Sequence, residues 1–211
     1  MNESLTKKGT TTVGIVTKYG IILAADKRAS MGYLIADKDA EKIHEIDEQT
    51  AMTFAGSVAD SQMILRFLKS QLQLYKLKKG KPATTKAIST LLSHFLFSNA
   101  HSFSPFLVQF IVGGVDKIGL HLYSLDPAGS NMKTGKFTST GSGSPMAYGL
   151  LEDSYEDNLT LEQGINLAIR SVNVAIKRDL ATGDGIDVLT ITKDGLKRIK
   201  KEEIEKITKK L

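Results

Sequence analysis

Short turns between apolar, β-branched runs restrict the folds that this sequence can adopt. Residues 10–26, TTTVGIVTKYGIILAAD, hold two such runs on either side of a turn that contains Gly20, a pattern that predicts a β-hairpin. A second hairpin is predicted in residues 187–199, with its turn at Lys193-Asp194-Gly195. Parallel strands need long crossover connections instead. The sequence therefore favours antiparallel sheets.

Helical patterns come in two pairs between the strands. A strand is predicted over residues 50–56, and apolar residues at helical spacing then continue to about Lys79. A second helix is predicted over about 84–100. Strands are next predicted in FLVQFIVGGVD, GLHLYSLDP and KFTSTGS. The second pair follows, from Pro145 to about Asp157 and along the apolar stripe of residues 161–176.

Capping signals support these helix boundaries. Ser57 with Asp60, and Thr160 with Gln163, have the spacing of a capping box, in which the two side chains satisfy each other's backbone N–H groups. Gly183 is predicted to be the C-terminal cap of the last paired helix. A charged helix is expected to close the chain.

The order of these elements predicts the fold class. Strands, two helices, strands, two helices and strands give an α+β protein with segregated helices. Two helix pairs, each with an apolar face, are accommodated by a four-layer αββα sandwich of two stacked antiparallel sheets. We expect residues 10–211 to form a single domain.

Composition and charge exclude several classes of function. The net charge of +5 comes from basic residues in 1–9 and 197–211, so we expect solvated basic ends and no binding of nucleic acid. The chain has no cysteine, which excludes a disulfide or thiolate nucleophile and fits a cytoplasmic location. No apolar stretch approaches the roughly 20 residues that span a bilayer, so no membrane association is expected.

Common catalytic motifs are missing from the sequence. No G-x-S-x-G motif follows a predicted strand. The segment GSGSP at 141–145 looks similar but does not match that motif. His44, His94, His101 and His121 have neither H-E-x-x-H nor paired metal-ligand spacing. We therefore expect no metal and no cofactor.

Three polar features remain, and each has a simple alternative. Thr10 follows Gly9 at the head of an apolar strand, either because threonine favours strands or because Gly9-Thr10 is a cleavage point. Asp26 ends the run IILAAD and is either an exposed turn residue or a buried carboxylate that needs a partner. Lys42 lies among acidic residues in DAEKIHEI, as lysines on a solvated face also do.

Taken together, these features resemble the β subunits of the archaeal core proteasome, which are N-terminal nucleophile hydrolases of the threonine peptidase class. The resemblance runs from Thr10 to about residue 200. The segments that carry it are GTTTVGIV, GIILAADKRAS, EKIHEI, AGSVAD, TGSGSPMAYGLLE and RDLATGDGI. The family's four-layer sandwich agrees with the element order above.

The resemblance implies a set of site residues. Thr10 would be the nucleophile and, through its free α-amine after cleavage, the general base. Lys42 would lower the pKa of the Thr10 hydroxyl, Asp26 would hold Lys42, and the Gly56 backbone N–H would form the oxyanion hole. Supporting groups around the amine would come from Ser142, Asp179 and Thr182.

The resemblance also implies a substrate pocket. Ala29, Phe54 and Val58 would line it and suit large apolar side chains, although each could equally be a packing residue of the core. Ser30 stands where many relatives have Thr, and Thr182 where Ser is usual. Both keep a hydroxyl, but the extra methyl of Thr182 could disturb the geometry near the amine.

Residues 1–9 are expected to be a propeptide, because Thr10 has no free amine until Gly9-Thr10 is cut. The family arrangement implies stacked seven-membered rings with proteasome α subunits and other β subunits. It also implies a regulatory ATPase ring as an indirect partner and unfolded proteins as substrates. Two alternatives remain open. The chain could be a structural β subunit that is not processed in its own right. The bacterial two-ring threonine peptidase is disfavoured by the long second helix and C-terminal segment.

Overall fold

Two five-stranded antiparallel sheets form the centre of the fold in a computed structural model that describes residues 9–211. The predicted propeptide lies outside this range except for Gly9. The strands are β1 Thr12–Val16, β2 Gly20–Asp26, β3 Ala29–Met31, β4 Leu34–Asp37, β5 Ile43–Glu45, β6 Thr50–Gly56, β7 Val108–Asp116, β8 Gly119–Leu125, β9 Met132–Thr134, β10 Phe137–Thr140, β11 Ile186–Thr192 and β12 Gly195–Arg198. The helices are α1 Val58–Lys79, α2 Thr85–Ala100, α3 Ser144–Ser154, α4 Leu161–Ile176 and α5 Lys201–Thr208.

The sheets and helices stack in four layers, which confirms the predicted αββα sandwich. One sheet has the strand order β10-β1-β2-β11-β12 and the other β5-β6-β7-β8-β9. Apolar side chains between the two sheets form a central core, which includes Leu23, Ile111 and Leu122. A second core lies between the first sheet and helices α3 to α5, and a third lies between the second sheet and helices α1 and α2. None of the helices in residues 9–211 has the length and apolar character needed to cross a membrane.

Strand β2 occupies the middle of the first sheet and carries the chain to Asp26. It pairs antiparallel with β1 on one side and β11 on the other, and all seven of its residues are buried. Both predicted hairpins, β1–β2 and β11–β12, are confirmed. Because β2 has a partner on each edge, it is a rigid support for the carboxylate at its end.

Most helix boundaries follow the capping signals. Helix α1 ends at Lys79 because Gly80 adopts a left-handed conformation with φ of 67°. Thr160 and Gln163 form the predicted capping box at the start of α4. For Ser57 and Asp60, only one of the two predicted capping-box hydrogen bonds forms. The Ser57 side chain accepts from the Asp60 N–H, but the Asp60 carboxylate accepts from the Leu107 N–H at 3.0 Å.

Other differences from the sequence predictions concern short or irregular segments. The predicted C-cap at Gly183 is wrong, since α4 ends at Ile176 and Gly183 lies in the loop before β11. Helix α3 ends at Ser154, three residues before the predicted position. The strands β5 and β9 and the separate two-stranded sheet β3–β4 were not predicted.

Candidate active site

Thr10 lies two residues before strand β1 of the first sheet and contacts Lys42, which directly precedes strand β5 of the second sheet. Its side chain is almost fully buried. The Lys42 Nζ donates a hydrogen bond to Thr10 Oγ1 at 2.8 Å and another to Asp26 Oδ1 at 2.7 Å. Thr10, Asp26 and Lys42 therefore form one hydrogen-bonded group, although Lys42 lies 32 positions from Thr10 and 16 from Asp26 in the sequence.

Asp26 is buried and fully partnered, as the second of the two sequence interpretations requires. Besides Lys42, its carboxylate accepts hydrogen bonds from the backbone N–H groups of Thr11 at 2.9 Å, Gly183 at 2.9 Å and Arg28 at 3.1 Å. A buried carboxylate is stable only with such partners. Asp26 thus joins the end of β2 to the start of β1 and to the loop before β11.

Lys42 is also buried, with 3% of its surface exposed, so its interpretation as part of a solvated face is wrong. Burial lowers the pKa of the Lys42 ammonium, while the charge of Asp26 and its hydrogen bond oppose this shift. The ammonium lies between a carboxylate that holds it and a hydroxyl that it can polarise. This geometry can stabilise negative charge on Thr10 Oγ1.

A second hydrogen-bond network surrounds the Thr10 nitrogen. The Thr10 N–H donates to Ser142 Oγ at 3.2 Å, and the Ser142 hydroxyl donates to Asp179 Oδ2 at 2.5 Å. The Thr182 hydroxyl donates to the same carboxylate oxygen at 2.5 Å. The structure therefore brings the three predicted supporting residues together at the atom that would become the amine.

Thr182 and Thr11 complete this network. Thr182 is buried, and its Oγ1 lies 2.8 Å from Thr11 Oγ1, so its methyl group is accommodated with both hydrogen bonds intact. The sequence analysis missed Thr11, because its position in a threonine run suggested an ordinary strand residue. Its side chain instead links the start of β1 to the Asp179–Thr182 loop.

Arg28 is a further residue that the sequence analysis missed. Its guanidinium donates to Asp184 Oδ2 at 2.6 Å and to the Leu180 carbonyl at 2.8 Å. A Cβ on Gly183 would lie 2.4 Å from the guanidinium carbon. Arg28 thus holds the loop that supplies Asp179 and Thr182. The available signal in the sequence was the position of this cation two residues after Asp26.

Gly56 ends β6 in a conformation that other residues rarely adopt. Its φ is 127°, and a Cβ at this position would lie 2.2 Å from the Leu107 carbonyl oxygen. The strand end can approach Leu107 only because glycine has no side chain. Gly56 borders the same cavity as Thr10, and its role as the oxyanion hole stays a prediction.

Replacing Gly56 by alanine should lower the free energy of unfolding by more than backbone strain alone. Gly119 provides a matched control, because its φ is 137° and no atom lies within 4 Å of the position that a Cβ would take. We expect Gly119→Ala to cost roughly 1–3 kcal/mol from strain and Gly56→Ala to cost more, through the added clash with Leu107. Urea unfolding of both variants measures the difference, and equal losses would contradict the expectation.

A cavity of about 470 Å³ opens beside Thr10 and Lys42. Its walls include the three predicted pocket residues, Ala29, Phe54 and Val58. Phe54 also packs in the core between the second sheet and its helices, so its interpretation as a packing residue is confirmed, and its role in binding substrate stays a prediction. Residues that the sequence analysis missed on the cavity wall are Met31, Ala36, Asp37, Ala40, Glu41, His44 and Gln62.

Comparison with known proteins identifies the family. The family described as Proteasome subunit matches residues 6–191. A proteasome subunit beta from Methanosarcina mazei is 48% identical over 94% of this chain and 93% of its own length. A proteasome subunit beta from Methanocaldococcus fervens is 50% identical over 95% of this chain and 89% of its own length. The chain therefore belongs to the proteasome subunit family, among the β subunits of archaea.

Proposed function

We propose that this chain is a threonine endopeptidase, the catalytic β subunit of an archaeal proteasome core particle. The observation that carries the proposal is the buried Lys42 ammonium, which is hydrogen-bonded to both Thr10 Oγ1 and Asp26. A lysine between a hydroxyl and a carboxylate suits activation of that hydroxyl as a nucleophile.

The chain must first acquire its base by cutting Gly9-Thr10. In this step Thr10 Oγ1 attacks the Gly9 carbonyl carbon, a C–O bond forms and the C–N bond of the peptide breaks. The hydroxyl proton ends on the Thr10 nitrogen. Water then hydrolyses the resulting ester, which releases Gly9 with a carboxylate and leaves Thr10 with a free hydroxyl and a free amine.

The mature site would then cleave other chains by the same chemistry. An α-amine has an unperturbed pKa of about 7.7–8.0, so much of it is neutral and able to accept the hydroxyl proton near neutral pH. Lys42 would stabilise the alkoxide, and the Gly56 N–H would stabilise the tetrahedral oxyanion. Ser142, Asp179 and Thr182 would orient the amine.

The cavity beside Thr10 would hold the substrate residue before the cut. Ala29, Phe54 and Val58 favour a large apolar side chain there. The family of the chain supports assembly into the proteasome complex, with α subunits and other β subunits in stacked seven-membered rings. Unfolded proteins, delivered with the help of an ATPase ring, would be the substrates.

Intact mass and N-terminal sequencing of assembled particles test the proposal. The chain should be co-assembled with its cognate α subunits and any second β subunit. We expect the particles to contain a chain that begins at Thr10. A chain that still carries residues 1–9 in finished particles would favour the structural-subunit alternative, since no free amine would be present to act as base.

A further inference from the structure

Gly9 is held by a hydrogen bond that the mechanism above does not use. The Gly9 N–H donates to Ser30 Oγ at 3.1 Å. Gly9 is buried, and a Cβ on it would lie 1.9 Å from the Ala181 Cβ and 2.7 Å from Ser142 Oγ. The residue before the cut is thus confined between Ser30, Ala181 and Ser142.

We propose that Ser30 is a positioning residue for cleavage of the Gly9-Thr10 bond, an inference that rests on the proposed self-processing. Two peptide planes meet at Gly9. The hydrogen bond from the Gly9 N–H to Ser30 orients the plane before it, and the hydrogen bond from the Thr10 N–H to Ser142 orients the plane after it. Together they restrict both backbone torsions of Gly9.

This restriction matters because glycine has more backbone freedom than any other residue. Without it, the Gly9 carbonyl could turn away from Thr10 Oγ1, which Lys42 already holds. Intramolecular attack is fast when the reacting atoms are kept in the attacking geometry. Ser30 therefore acts by restricting the Gly9 carbonyl to orientations that Thr10 Oγ1 can attack.

The contacts of Ser30 indicate that its hydroxyl acts mainly before the cut. Within residues 9–211, Gly9 supplies the one hydrogen bond that Ser30 Oγ makes. Ser30 lies on the short strand β3, beside the cavity and apart from the two five-stranded sheets. Gly9 departs once the bond is cleaved, so this hydrogen bond exists only in the uncut chain.

The test follows the rate of processing in particles assembled from the full-length chain and its α subunits. Loss of one hydrogen bond predicts that Ser30→Ala slows the appearance of the Thr10 terminus about fivefold. Ser30→Thr keeps the hydroxyl and should process at close to the wild-type rate. Ser70→Ala, a serine on the exposed side of α1, is the matched control and should not slow processing.

A second measurement separates positioning from a general structural role. After Ser30→Ala particles have matured, their kcat/KM for a fluorogenic peptide should have fallen by a smaller factor than the processing rate. Equal factors, or unchanged processing in the alanine variant, would overturn the inference. Failure of the wild-type chain to process at all would instead overturn the proposed function, so the two failures are distinguishable.

Discussion

Particles assembled from a Thr10→Ala chain should retain residues 1–9 and lose peptidase activity by about 10⁴-fold or more, the scale seen when a nucleophile is removed. The hydroxyl is needed twice, first against the Gly9 carbonyl and then against the substrate. The variant lacks both the attacking oxygen and the free amine that the first cut would produce. Mass spectrometry of the assembled chain and hydrolysis of a fluorogenic peptide measure the two losses.

Two further threonine variants make this result specific. Thr10→Ser keeps a hydroxyl within reach of Lys42, and we expect it to mature and to retain activity. Thr12 belongs to the same run, but its hydroxyl lies 2.6 Å from Thr140 Oγ1, between two strands. Thr12→Ala should lose about 1 kcal/mol of stability from that hydrogen bond and still be processed. Normal maturation of Thr10→Ala would exclude Thr10 as the nucleophile.

Elements with strong local signals were predictable from the sequence. Helix α1 could be traced to Lys79 because Gly80 follows it, and the start of α4 could be placed because Thr160 and Gln163 satisfy each other. The β3–β4 sheet could not be predicted. Its strands have three and four residues, and every residue of β4 is exposed, so no alternation of apolar and polar residues marks them.

Signals that depend on distant partners were misread or missed. Gly183 resembles a helix cap locally, but the buried Asp26 needs its N–H, and Arg28 occupies the space where a side chain would lie. Asp60 has capping-box spacing, yet the Leu107 N–H is the better-placed donor for its carboxylate. In both cases a contact with a residue more than 40 positions away outweighed a local preference.

The candidate site depends both on local sequence signals and on contacts between residues that are distant in the sequence. Residue chemistry alone left Asp26 open between an exposed turn residue and a buried carboxylate, and it left Lys42 with an ordinary surface interpretation. Only the family resemblance linked the two residues to Thr10. The burial and the hydrogen bonds of Asp26 and Lys42 follow from the fold. Strand β2 ends at Asp26, and Lys42 directly precedes β5, within hydrogen-bond distance of Thr10. Thr11 could not be identified, because its role depends on Thr182 across the loop before β11.

Lys42→Met should lower both activity and stability, because the same ammonium serves Thr10 and Asp26. Methionine keeps most of the buried volume but leaves the Asp26 carboxylate without its counter-charge. Breaking a buried ion pair in this way costs about 3–5 kcal/mol, and the three backbone N–H groups on Asp26 place our expectation near the lower end. Loss of the charge beside Thr10 should also reduce peptide hydrolysis by about 10²-fold or more.

A double variant distinguishes the two roles of Lys42. Asp26→Asn combined with Lys42→Met removes the unpaired charge. The asparagine oxygen can still accept from the Arg28 and Gly183 N–H groups, but the NH2 group leaves the Thr11 N–H without its acceptor. The double variant should therefore recover only part of the stability in urea unfolding, while activity remains lost. Lys136→Met is the control, since its ion pair with Asp157 is largely exposed and should contribute less than about 1 kcal/mol. If Lys42→Met proved no less stable than Lys136→Met, the backbone N–H groups alone would suffice to hold the Asp26 charge. Lys42 would then serve Thr10 without contributing to the fold.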